Sequence, residues 1–310
     1  IQLTRLAPPP GMPVTEALKA LRAADPDGTY DLEHVYDPAG TTTGGGAPSP
    51  TPSLIAADDI TIGMIDAGID TTHPALQDAD IETKVTTERR RERRPTAHGT
   101  AVASLLVGDD EAFKGALPGA TLYAADAFAG SPTGGAAGDI ARAIAWLSSK
   151  DIAVINVSIT GPDNALLAAA VRAAVARGHV IVAPVGNDGP SAAVRYPAAY
   201  DGVVAVTSVD AKGRVQLDAN RGPAVDFAAM GVNVRAAQAD GGYANVTGTS
   251  FASPLVAARF AELVASPNKQ EAAEALAALA STAKRPPDVR EAILGHGILT
   301  PRIEAASAER

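Results

Sequence analysis

Four residues of this 310-residue chain could together break an acyl bond, given a fold that gathers them. Ser250 stands in TGTSFASPLVAA (247–258), between a glycine turn and a run of small residues. A serine there can cap a helix. It can also be a nucleophile at a helix N-terminus, where oriented amides favour developing negative charge. Such a nucleophile needs an imidazole to take its proton and a carboxylate to orient that imidazole. It also needs an amide facing the oxyanion. His98 in TAHGTAVAS (96–104), Asp66 in GMIDAGIDTTHP (63–74) and Asn187 in PVGNDG (184–189) supply these types. Of the other histidines, His73 precedes a proline in a turn, where a backbone hydrogen bond is the ordinary role. His34 lies before a linker-like stretch, His179 opens an apolar strand, and His296 sits in a glycine turn. No pair has the spacing of a metal site such as HExxH.

The elements that must position these groups alternate. Strand patterns at 60–66, 120–128, 152–159, 179–187 and 202–209 are separated by helical patterns at 99–108, 138–150 and 164–178. Helices follow from Ser250 and over 268–283. This order predicts an α/β fold, a mostly parallel sheet flanked by helices on both faces. Ligands bind such sheets at the carboxyl ends of the strands. Asp66, Asn156, Ser158 and Asn187 all fall at predicted strand ends, and His98 at a helix start.

Residues 1–36 read as a separate N-terminal extension. Val14, Leu18 and Leu21 have helical spacing, with Thr15 as a candidate cap, and TYDLEHVY (29–36) predicts a strand. Residues 37–53 are rich in Gly, Pro, Ser and Thr and read as a flexible linker, leaving 54–310 as the main domain. Hydrophobic residues make up 46% of the chain and charged ones 20%, enough for a large core. No stretch reaches the roughly 18 apolar residues of a membrane span. A net charge of −9 disfavours nucleic acid as a partner, although ERRRERR (88–94) runs against that balance. Cysteine is absent, which removes disulfide and thiolate chemistry. No charged and apolar leader precedes the extension, so no signal peptide is read from these residues.

IDAGIDTTHPAL, AHGTAVAS, VGNDG and GTSFASP resemble the triad and oxyanion motifs of the subtilisin-like serine proteases, in the same Asp, His, Ser order. The resemblance runs from about residue 55 to residue 265. It implies a subtilisin-like fold and a serine endopeptidase acting on peptide or protein substrates outside the cytoplasm, secreted or periplasmic. Asp66 then orients His98, His98 is the general base, Ser250 attacks, and Asn187 with the Ser250 amide binds the oxyanion. SITG (158–161) corresponds to one wall of the substrate cleft, so Ser158, Ile159, Thr160 and Gly161 are expected to bind substrate. Thr160, where relatives usually carry glycine, should narrow the pocket mouth. Gly134 and Gly135 in PTGG correspond to the opposite edge, making a bound peptide a middle strand. Arg195 in VRYPAAY falls where a glycine often floors the pocket for the residue before the scissile bond. It either points inward and favours acidic side chains or is a solvent-directed loop arginine.

No cofactor is implied. Ala75 replaces an acidic calcium ligand of the family, and GDDEAFKG (108–115) is shorter than the family's ligand loop, so the strong calcium site is expected to be absent. Asp109, Asp110 and Glu111 form either a weak cation site or a solvated turn. The helix and strand of residues 12–36 resemble the last half of the family's prodomain, which would make the chain a zymogen form, or they are an ordinary extension. Two rivals stand beside the protease. One is a silent binding module, which competent residues at all four positions disfavour. The other is an α/β-hydrolase esterase, which lacks its G-x-S-x-G elbow here and needs a different triad order.

Overall fold

A computed structural model describes residues 3–38, 40–43, 57–87, 94–131 and 134–299. The chain forms α1 (Val14–Ala24), β1 (Val35–Pro38), β2 (Thr41–Thr43), β3 (Thr61–Asp66), β4 (Ile81–Val85), α2 (Ala97–Val107) and β5 (Thr121–Asp126). Then come β6 (Gly135–Ala136), α3 (Ala137–Ser149), β7 (Val154–Val157), β8 (Ile159–Thr160), α4 (Ala165–Arg177), β9 (Val180–Pro184) and β10 (Val203–Val209). The last elements are β11 (Phe227–Met230), β12 (Val234–Ala237), β13 (Tyr243–Thr247), α5 (Thr249–Ala261), α6 (Lys269–Thr282), α7 (Glu291–Leu294) and β14 (Gly297–Ile298).

Eight strands form a parallel sheet in the order β14-β11-β10-β9-β7-β3-β5-β4. The central strands β7 (VINV), β9 (VIVAP) and β10 (VVAVTSV) are buried at every residue. Such unbroken apolar runs arise because helices cover both faces. The small residues of α2 and α5 pack on one face, and α3 and α4 on the other. At the edge, β4 (IETKV) exposes Glu82, Thr83 and Lys84, charges that discourage pairing with another chain. From β3 the chain moves outward to β4, returns through β5, and then crosses to β7 on the other side. Strand order therefore reverses at β3, and Asp66 is its last residue. A crevice outside the carboxyl ends of the strands opens at such a reversal.

The extension departs from its predicted form. α1 begins after Pro13 and lacks a side-chain cap, with Thr15 inside the helix. Residues 29–34 are not strand; β1 starts only at Val35, because its pairing comes from distant edges rather than a local partner. The described residues 37, 38 and 40–43 belong to strands or their junction, where a flexible linker was expected. Residues 44–56 lie outside the described residues. Asp31 and Asn164 fasten the extension to the main domain. Asp31 accepts from the Ala165 amide at 2.6 Å, and the Asn164 side chain donates to the Leu32 carbonyl at 2.8 Å.

Thr96 and Gly99 set the seat of His98. Thr96 Oγ1 caps α2 by accepting from the Gly99 amide at 3.0 Å. A Cβ on Gly99 would stand 2.5 Å from the Ala67 carbonyl and 2.6 Å from that of Gly68. The helix can approach the end of β3 only because that atom is missing. Gly99→Ala should therefore cost about 1–3 kcal/mol, the range for overpacking. Thermal unfolding in a Ser250→Ala background checks this, and an unchanged midpoint would contradict it.

Candidate active site

The three residues predicted to act together meet at the crevice. Asp66 is fully buried, and its Oδ1 accepts from the Ala67 amide at 2.7 Å. The same oxygen lies 2.9 Å from His98 Nδ1, and His98 Nε2 lies 2.8 Å from Ser250 Oγ. A carboxylate only accepts, so Nδ1 carries the ring proton and Nε2 is left to accept from the Ser250 hydroxyl. Phe251 packs beside the imidazole, ring centroids 5.1 Å apart.

Ser250 is the second residue of α5. Pro254 lies inside the helix, beyond its first turn. Its missing N–H is the helical partner of the Ser250 carbonyl. That carbonyl accepts instead from Ser158 Oγ at 3.0 Å, which in turn accepts from Asn156 Nδ2 at 2.7 Å. The Ser158 side chain thus holds the nucleophile's backbone, and Ser158 is left only its backbone for substrate. Asn187 follows β9. Its Oδ1 accepts from Gln216 Nε2 at 2.9 Å and from the Thr249 amide at 3.1 Å, which turns Nδ2 the other way.

The cleft is filled by the chain's own residues 35–38 and 40–43, and Ser250 is fully buried. β1 lies antiparallel between β6 and β8 as a middle strand, pairing Tyr36 with Gly135, Asp37 with Thr160 and Pro38 with Ile159. β2 continues antiparallel along β13. Between them, a Cβ on Gly40 would stand 2.9 Å from Ser250 Oγ. The predicted cleft residues Gly134, Gly135, Ile159, Thr160 and Gly161 all flank this segment. A Cβ on Gly134 would stand 2.3 Å from the Tyr36 carbonyl, and one on Gly161 would meet the Tyr36 ring at 2.4 Å. The buried Tyr36 hydroxyl donates to the Pro162 carbonyl at 2.5 Å. Burial, then Tyr200 and Asp163, pushes this phenol far above its ordinary pKa, so it stays a neutral donor.

Arg195 takes a position between the two foreseen. A Cβ on Gly186 would stand 2.7 Å from Arg195 Cγ, so the stem lies along Gly186. Nε lies 3.6 Å from the Asp188 carboxylate, and the side chain is 41% exposed. Of the expected basic run 88–94, only Arg94 lies within the described residues. The other histidines are structural. His73 Nε2 donates to the Gly242 carbonyl at 2.7 Å, and Nδ1 accepts from the Ala75 amide at 3.1 Å. His179 is buried against the Ile152 carbonyl at 2.7 Å, and burial lowers its pKa. His34 Nδ1 lies 3.2 Å from the Asn164 side-chain nitrogen, and His296 packs on Phe227.

In the acidic turn, Asp109 pairs with Lys114. Asp110 accepts from the Tyr243 hydroxyl and from the Ala112 amide. Burial pushes the Asp110 carboxyl up, and these hydrogen bonds outweigh it to leave the pKa lowered. The likeness of residues 12–36 to a prodomain implied a tail reaching the active site. The strand pairing of Asp37, Pro38 and residues 41–43, read as linker, was not foreseen, nor were Gln216 and Asp188. Gln216 belongs to no motif and reaches Asn187 only through the fold.

The family model of the subtilase family matches residues 57–297. Subtilisin E of Bacillus subtilis (strain 168) is 32% identical over 205 residues, 64% of this chain and 54% of the relative. The chain spans about half the length of the first curated relatives it matches. Subtilisin DY of Bacillus licheniformis is 32% identical over 231 residues, 73% of this chain and 84% of the relative. The solved structure of the patellamide maturation protease PatA superposes with a TM-score of 0.69 at 26% identity, over 80% of this chain and 96% of that one. That of the prenylagaramide maturation protease PagA gives 0.69 at 25%, over 79% and 91%. With the parallel sheet and the four motifs at its crevice, these matches show that the chain belongs to the subtilase family.

Proposed function

We propose that the chain is a serine endopeptidase working through Asp66, His98 and Ser250, with its own N-terminal segment lying in the cleft as a substrate-like occupant. The observation that carries this reading is the imidazole of His98 held between the other two at 2.9 and 2.8 Å. Ser250 Oγ attacks the peptide carbonyl while its proton passes to His98 Nε2. The imidazolium that forms is stabilised by the Asp66 carboxylate. Asn187 Nδ2 and the Ser250 amide receive the developing oxyanion, where loss of one donor costs roughly 2.7–4 kcal/mol. His98 then returns the proton to the leaving amine, and water repeats the sequence on the acyl-enzyme. Localisation outside the cytoplasm is supported by likeness to proteins such as the minor extracellular protease Epr of Bacillus subtilis (strain 168), 32% identical over 212 residues. Among the described residues no helix is long and apolar enough to cross a membrane.

Residues 1–36, with the strand that follows, act in this reading as a prodomain remnant, the zymogen form of the enzyme. Gly40 at Ser250 and Pro38 on β8 support the bond between residues 39 and 40 as the one presented. Ala39 would then precede the scissile bond, which agrees with a pocket narrowed by Thr160. The pairing of Arg195 with Asp188 weakens the case for acidic side chains there. Ala75 and the short stretch 108–115 argue against the family's strong calcium site, and the protein partners of Asp109 and Asp110 argue against a weak one.

Ser250→Ala should abolish peptide hydrolysis, a loss of up to roughly a millionfold in kcat. Survival of more than about one percent would contradict the assignment. N-terminal mapping of the incubated full chain should find a new terminus at Gly40 in the wild type and none in Ser250→Ala. A cut elsewhere would show that the segment is not presented as substrate. In a peptide series, small residues should exceed Phe and Leu before the scissile bond, and Arg195→Gly should raise cleavage after the bulky ones. If the wild type already prefers Phe or Leu and Arg195→Gly changes nothing, Arg195 has no part in the pocket. Thermal midpoints in EDTA and in millimolar calcium should nearly coincide. A large rise with calcium would contradict the calcium reading, because a ligand of the native state raises stability.

A further inference from the structure

We infer that Gln216 is a positioning residue for the oxyanion site, holding the Asn187 amide with its nitrogen toward the cleft. The inference rests on the reading of Asn187 as an oxyanion donor. An asparagine amide has nearly the same shape after a half-turn, but the half-turn exchanges a donor for an acceptor. In the wrong orientation, a carbonyl oxygen would face the oxyanion and repel it. What fixes the orientation is the set of donors around Oδ1. Among the described residues two are present, the Thr249 amide at 3.1 Å and Gln216 Nε2 at 2.9 Å. Thr249 N is backbone at the start of α5, so Gln216 is the only side chain among these donors.

Gln216 is itself held for this task. It is 5% exposed, and Nε2 also donates to Asp218 Oδ1 at 2.8 Å. These two acceptors fix the orientation of its own amide, leaving Oε1 buried without a hydrogen-bond partner among the described residues. The turn that delivers it is equally specified. Asp210 accepts from the Lys212 and Arg214 amides at 2.8 and 2.9 Å and pairs with the Arg214 guanidinium at 2.6 Å. Val215 then bridges Val209, and the Gln216 amide donates to the Ser208 carbonyl at 2.9 Å. The end of β10 thereby supports a group on the neighbouring strand's loop.

The test compares kcat and KM for Gln216→Leu, Gln216→Glu and Asn187→Ala in the full chain, each alone, and for Gln216→Leu on the Asn187→Ala background. Gln216→Leu should lower kcat about tenfold, part of the loss typical for a whole oxyanion donor, with KM within twofold. On the Asn187→Ala background it should cost nothing further, since residues acting through one group are not additive. Gln216→Glu is nearly isosteric and keeps the packing. Its carboxylate repels Asn187 Oδ1, so its loss should approach that of Asn187→Ala near neutral pH. The ratio of its kcat to the wild type's should rise as pH falls toward about 4–5, where a carboxyl regains a proton and can again donate. An undiminished loss on the Asn187→Ala background, a loss carried by KM, or a flat Gln216→Glu ratio would each overturn the proposal. Asn187→Ala as active as the wild type would overturn the oxyanion reading itself, and the role of Gln216 with it.

Discussion

The site depends on one imidazole whose two nitrogens must face different elements at hydrogen-bonding distance. Nδ1 meets the end of β3 and Nε2 the start of α5, while His98 itself rides on the start of α2. Three elements far apart in sequence must therefore converge to within a few tenths of an ångström. Small residues make that possible. The alanines, glycines and serines of α2 and α5 bring the helices onto the sheet, and Gly99 lets one backbone lie against another. Burial then strengthens what the convergence creates. A fully buried Asp66 with one oxygen shared by Ala67 N and His98 is costly to desolvate, and removing its partner would leave an uncompensated charge.

The same economy of donors governs the nucleophile. Pro254 withdraws a helical hydrogen bond from the Ser250 carbonyl, and the Asn156–Ser158 pair replaces it with donors from the end of the middle strand. The helix start is thus tied to the sheet by side chains, not merely by packing. The cleft follows a related logic. Two short edges, β6 and β8, have unpaired backbone groups on facing sides, and an extended segment of the chain satisfies both. The buried Tyr36 ring occupies the space a side chain on Gly161 would fill.

The parallel sheet and the meeting of Asp66, His98 and Ser250 were legible because each rests on local signals. Buried strands read as continuous apolar runs, and the motif residues sit at their ends. Features that rest on distant pairing were not legible. β4 shows only a weak alternation, and β12 with β13 follows a loop-like stretch with no clear period. β1 starts at Val35 rather than at residue 29 because β6 and β8 define it, not its own sequence. Composition alone made residues 37–43 look like linker, since Gly, Pro and Thr are equally suited to an extended strand. Gln216 has no pattern at all.

The central claim is that His98, oriented by Asp66, makes the Ser250 oxygen nucleophilic. Covalent labelling by a fluorophosphonate, followed by mass mapping, tests it without any choice of peptide, once a second protease has released the segment covering Ser250 from wild type and His98→Ala alike. A single adduct on Ser250 is expected, formed at least about a hundredfold more slowly when His98 is alanine, the lower bound for loss of a positioned base. An adduct on another residue, or equal labelling rates with and without the imidazole, would contradict it.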